Sequence, residues 1–218
     1  MKMPSISSIA LSLLTLSAAG LVSAAPDVRA ELLPCGCAAF PAYVASSGNA
    51  GPWSVHADGT GEHIDGIGLI AVFSRGQHEI RWGNLAVNDL QGYATNPLRC
   101  VGGPAPGSGV QGLVPTGVSS YTWEPMVAAD IPYSSLLMYK VEGTPIEPYA
   151  LYNVDDDERR PGVFLGSGGY ATWGFRRQES AEFGVYWETR LLGANSQDPI
   201  TGEPLFEGEI TGFLKVWG

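Results

Sequence analysis

The chain has 218 residues, a formal charge of −10 and 44% hydrophobic residues, a tenth of all residues being aromatic. That acidic balance leaves no basic patch to neutralise phosphates, so neither nucleic acid nor an anionic membrane is expected as a partner. Disorder is excluded by the apolar content, while 29 glycines and 16 prolines interrupt helices throughout.

Lys2 precedes an uncharged run whose apolar centre is residues 9–16, followed by Val22-Ser23-Ala24. One basic residue, a short apolar core and small residues at the −3 and −1 positions make this a secretory signal peptide, residues 1–24, cut before Ala25. The apolar run is too short to span a bilayer. Removing 24 of 218 residues leaves 194, the length of one domain over 25–218, expected to be secreted and extracellular.

An oxidising destination gives the three cysteines, Cys35, Cys37 and Cys100, a disulfide reading. Cys35 and Cys37 are too close to bond each other easily, so Cys100 is expected to pair with one of them; the third is read first as a buried thiol and second as one that pairs with another chain. Cys-x-Cys with one distant cysteine lacks the spacing of a zinc site.

Beyond the signal the apolar period is two, not 3.6. Strands are expected at 63–73, 78–87, 118–124, 135–142 and 150–154. Turn signals fall at 74–77, 88–92 and 143–145, a long connection at 101–109 and a charged loop at 154–161. A hairpin follows, 170–177 with 182–192, and a last strand at 206–217 alternates Ile210, Leu214 and Val216 with Glu209, Thr211, Phe213, Lys215 and Trp217. The fold class expected is all-β: a closed antiparallel β-barrel, lipocalin-like or similar, with a β-sandwich as second choice.

Candidate chemistry is sparse. His56 and His63 frame Asp58 and Glu62, donors that can converge on a divalent metal, yet Gly59 and Gly61 mark the stretch as a hairpin turn with solvated side chains. No metal or cofactor is therefore expected. Glu124, Glu182 and Glu188 lie near aromatics, but glycoside hydrolysis requires two carboxyls roughly 5–10 Å apart across the sugar, and Glu182 and Glu188 are about 20 Å apart along one strand. That leaves Glu124, Glu188 and His78 as the catalytic candidates. Ser167 stands among glycines without a strand-to-helix elbow, and the acidic run 155–158 lacks the pattern of a calcium loop.

Trp82, Trp173 and Trp187 fall on faces that read as buried. Tyr121, Trp123, Tyr186, Phe213 and Trp217 read as rings available to a ligand. The expectation is a secreted β-domain that binds a carbohydrate or small apolar ligand in a barrel mouth or on an aromatic sheet face. The alternatives are an enzyme in the same barrel, a carbohydrate-active hydrolase or a cyclase or isomerase, and a non-catalytic extracellular interaction protein.

Overall fold

The period of two is realised in sixteen strands among the described residues, which in the computed structural model are 27–34, 36–76, 79–88, 94–103, 108–117, 119–194 and 196–218. Residues 1–24, read above as a signal peptide, Cys35 and His78 lie outside them. The first strands are β1 (Val28–Leu32), β2 (Tyr43–Val44), β3 (Asn49–Asp58), β4 (Leu69–Arg75), β5 (Ile80–Val87) and β6 (Leu98–Val101). There follow β7 (Gly109–Pro115), β8 (Tyr121–Pro125), β9 (Val127–Ala129), β10 (Leu137–Tyr139) and β11 (Gly143–Pro145). The last are β12 (Glu147–Asn153), β13 (Phe164–Gly166), β14 (Trp173–Ser180), β15 (Gly184–Leu191) and β16 (Glu209–Trp217). Among the described residues no helix is long and apolar enough to cross a membrane.

Neighbours follow the order β11-β9-β10-β5-β15-β14-β16-β3-β6-β7-β8, with β4 added to β5, β2 to β3, and β1, β12 and β13 joined to β16 through β13. The expected hairpin is present as β14 and β15, antiparallel from Trp173↔Leu191 to Ser180↔Gly184. The path is open, with β11 and β8 at its ends. The closed barrel expected first is thus corrected to the second reading, a sandwich-like arrangement. The reason lies at the strand ends: Pro115, Pro125 and Pro145 terminate β7, β8 and β11, and proline has no N–H to carry a ladder further. At Met126, between β8 and β9, the chain leaves β7 for β10 and β11, a bend of the kind that carries a strand between layers.

The main core is filled by alternate residues of facing strands, including Val55 and Ala57 of β3, Leu85 and Val87 of β5, Trp173 and Phe175 of β14, and Leu214 and Val216 of β16. Among these, a fully buried Val, Leu or Phe side chain such as Val55, Leu85 or Phe175 contributes about 1.5–3 kcal/mol. Trp173 also donates from its indole N–H to the Leu165 carbonyl at 2.8 Å.

Two expectations of parity are corrected. Phe213 is not on a solvent face: β12 and β13 cover that side of β16, and its ring is fully buried with Tyr149, Leu151, Phe164 and Ala171. Trp82 is 43% exposed rather than core, since it lies near the end of β5 where β4 and β5 slip register between Ser74 and Arg75.

The disulfide joins Cys37 to Cys100, which decides between the two pairings. Cys37 sits on a single 3-10 turn, Gly36–Ala39, and Phe40 just beyond stacks on Trp53 with ring centroids 4.8 Å apart. The turn is thereby held against one end of the core. Closing a sequence separation of 63 stabilises by about 4 kcal/mol in the chain-entropy account.

Candidate functional site

The opposite end of the core is covered by residues 59–67, and the local chemistry explains why this turn holds one shape. The Asp65 carboxylate accepts the Thr60 N–H at 2.9 Å, the Thr60 hydroxyl at 2.8 Å and the Gly61 N–H at 3.1 Å. Gly66 N–H donates to the Ala57 carbonyl at 2.8 Å, and Ala57 N–H to the Ile67 carbonyl at 3.0 Å. Ile64, the apolar residue within a polar turn, is fully buried in the main core. Gly212 of β16 admits the turn closely, because a Cβ there would lie 2.5 Å from the Thr60 methyl.

So anchored, the turn presents His63 edge-on to Trp187, with centroids 5.2 Å apart and planes at 71°. Beside this pair lies a concavity of about 490 Å³. Glu62 and His63 line it from the turn, Arg177, Val185 and Trp187 from the β14–β15 hairpin, and Gly208 and Ile210 from the start of β16. Its floor is apolar, through Val185, Trp187 and Ile210. A carboxylate, an imidazole and a guanidinium stand around it, Arg177 being 3.7 Å from Glu179 in an exposed ion pair. An apolar floor with a few polar groups is the usual make-up of a small-molecule site.

The rings expected to face a ligand do not converge. Tyr121, 65% exposed, lines a separate groove of about 470 Å³ with Phe73, Asn96, Leu113 and Phe183. Trp123 lies under the Arg99 guanidinium at 4.2 Å, and Arg99 donates to Gln111 at 2.9 Å. Tyr186 packs against Phe183 and its apolar neighbours on the far side of β15. Its hydroxyl pKa is raised by burial and then by Glu188. Trp217, 53% exposed, stacks on His56 with centroids 5.3 Å apart.

The carboxylate candidates occupy different surroundings. Glu188 is held by Arg176 at 2.9 Å and Gln178 at 3.1 Å. Glu124 lies on β8 opposite Gly112 and reinforces the rise that burial imposes on the Tyr139 hydroxyl pKa. His78 lies outside the described residues. No family model and no curated protein matches this chain. Its chemistry must be read from its own residues.

His56 and His63, read together as possible metal donors, are engaged separately. His56 bonds Ser54 and the Gly66 carbonyl, while His63 packs on Trp187. Among the described residues no group of three or more His, Cys, Asp or Glu comes together in a metal-holding arrangement. Sequence reasoning had Trp187 on the buried face and the 56–63 stretch as a turn, but not their meeting. The signal was Ile64: an isoleucine amid glycines and charges has to go somewhere apolar, and the core end beneath it carries Trp187.

Proposed function

We propose that this protein is a secreted small-ligand-binding protein whose site is the concavity beside the anchored turn. The observation that carries this reading is the meeting of Trp187, Val185 and Ile210 as an apolar floor with His63, Glu62 and Arg177 around it. The ligand has an apolar body, a ring or a carbon chain, and an anionic or hydroxyl group that reaches Arg177 or His63. The Cys37–Cys100 bond supports an oxidising destination, in keeping with the signal-like N-terminal residues.

Titration with 1-anilinonaphthalene-8-sulfonate, which joins an apolar double ring to an anion, tests the site. Saturable fluorescence enhancement with one equivalent bound is expected. Ile210→Trp, which fills the cavity, abolishes it. Arg177→Ala weakens it about tenfold, the loss of one charge-assisted contact of about 1.4 kcal/mol. Displacement by a panel of oligosaccharides and apolar metabolites then identifies the ligand class. Binding unchanged in both variants would overturn the assignment.

A further inference from the structure

We propose that Ser54 and His56 form a nucleophile and general-base pair that hydrolyses carboxylic esters on the outer face of β3. Along this strand Val55 and Ala57 enter the core, while Ser54, His56 and Asp58 point the other way and are half-buried. Ser54 Oγ lies 2.9 Å from His56 Nε2. His56 Nδ1 lies 2.7 Å from the Gly66 carbonyl. A carbonyl only accepts, so Nδ1 carries the hydrogen and the Nε2 lone pair faces the Ser54 hydroxyl.

Nucleophile, base and a group that orients the base are the three parts that activated-serine chemistry requires. The orienting carbonyl is itself fixed, because Gly66 N–H bonds the Ala57 carbonyl at 2.8 Å. The imidazole cannot swing freely, since Trp217 stacks on it at 22°. Among the described residues a second acceptor for the Ser54 hydroxyl, the Trp217 carbonyl, is farther at 3.5 Å. Lys215, the cross-strand partner of His56, adds a cation to this face, with Nζ 3.8 Å from Asp58 and 6.0 Å from the Trp217 ring centroid. Such a charge favours a developing oxyanion.

The steps balance with water as the co-reactant. Ser54 Oγ attacks the ester carbonyl carbon as its proton passes to Nε2. The tetrahedral oxyanion collapses, the C–O bond to the alcohol breaks, and Nε2 returns the proton to the leaving alcohol. Water then attacks the acyl-serine through the same base, releasing the acid and restoring the Ser54 hydroxyl. The open face and the exposed Trp217 ring suit a short acyl group carried on a larger molecule lying across that ring.

The test is incubation of the purified protein with a fluorophosphonate, followed by peptide mass spectrometry, together with steady-state hydrolysis of p-nitrophenyl acetate. One phosphonyl adduct on the Ser54 peptide is expected, with fluoride released. Ser54→Ala removes both adduct and turnover. His56→Gln slows both by about a hundredfold or more, the usual contribution of a general base. Unchanged thermal midpoints establish that the variants are folded. A folded protein that takes no label on Ser54, or labels at the same rate in His56→Gln, would overturn the proposal.

Discussion

Arg190 of β15 and Glu209 of β16 meet across β14, directly over Gly174, whose missing side chain leaves the space the Glu209 carboxylate occupies. The side chains are 2% and 0% exposed, with Arg190 Nε 2.9 Å from Glu209 Oε1 and a second bond from Nη2 to Oε2. Arg190 also donates to the Tyr133 and Ser196 carbonyls, and Glu209 accepts the Phe206 N–H at 3.0 Å. The Phe206 ring lies 4.2 Å from the guanidinium carbon. The pair therefore fixes how the chain enters β16, and with it Gly208 and Ile210 in the ligand concavity.

Removing one partner strands the other without a counter-charge. Glu209→Ala is expected to lose about 3–5 kcal/mol, measured as the shift of the urea midpoint at unchanged slope. The double variant Arg190→Met/Glu209→Leu recovers most of that loss, because the desolvation cost of both charges disappears with them. A double variant no better than the single one would show that the neighbouring carbonyls and the Phe206 N–H, not the charge pair, dominate this region.

The disulfide makes a separable expectation. Cys37→Ser and Cys100→Ser each lose about 4 kcal/mol, while Cys35→Ser keeps the bond and the stability of the parent. Non-reducing peptide mapping, with a linked 37–100 pair, and a denaturant titration of each variant check this. An equal loss in Cys35→Ser would mean that the pairing is shared.

The contrast between β16 and β3 shows what could be read in advance and why. β16 announces itself by alternation, and its partner face was right for Leu214 and Val216. Phe213 was misplaced because alternation tells which side a residue takes, not whether another layer covers that side, and β12 and β13 do. β3 was missed although it carries both the Trp53-to-Ala57 face and the Ser54–His56 pair. Pro52 and the glycines at 48 and 51 are residues that weaken a strand signal, and tertiary pairing with β16 and β6 makes this segment a strand. Likewise β1 and β7 have too few residues of strong strand preference to stand out without their partners. The candidate site was half legible: Trp187 as a core ring could be placed by period, but its meeting with His63 depends on a turn folding back over the core end.

Tyr139 offers a pH test. Its side chain is buried, its hydroxyl has no hydrogen-bond partner among the described residues, and burial, then the Glu124 charge, raises its pKa. A raised folded-state value means the folded protein holds this proton more tightly than the unfolded chain. The contribution is complete below the unfolded tyrosine pKa of about 10 and is lost as pH rises above it. Tyr139→Phe is expected to flatten the decline of stability above about pH 10. At neutral pH it costs little or stabilises, because the hydroxyl it removes is desolvated without compensation. Chemical denaturation at pH 8 and above pH 10 measures both effects; a steep alkaline loss retained in Tyr139→Phe would place its origin in another tyrosine.

The anchored turn links stability to binding, and two substitutions separate the links. Ile64→Ala removes the apolar plug and is expected to cost about 2–5 kcal/mol, because the fully buried side chain leaves a cavity at the core end. Asp65→Ala leaves the plug but deletes the acceptor of the Thr60 and Gly61 bonds. Its expected cost is smaller, about 1–3 kcal/mol, from one network of otherwise satisfied donors. Hydrogen exchange should rise first at residues 60–61 in Asp65→Ala and across 59–67 in Ile64→Ala. In both, His63 loses its fixed position against Trp187, so 1-anilinonaphthalene-8-sulfonate binds more weakly than the global stability loss alone predicts. Retention of full affinity in Asp65→Ala, with exchange at 60–61 raised, would mean that the hairpin and β16 carry the binding without the turn.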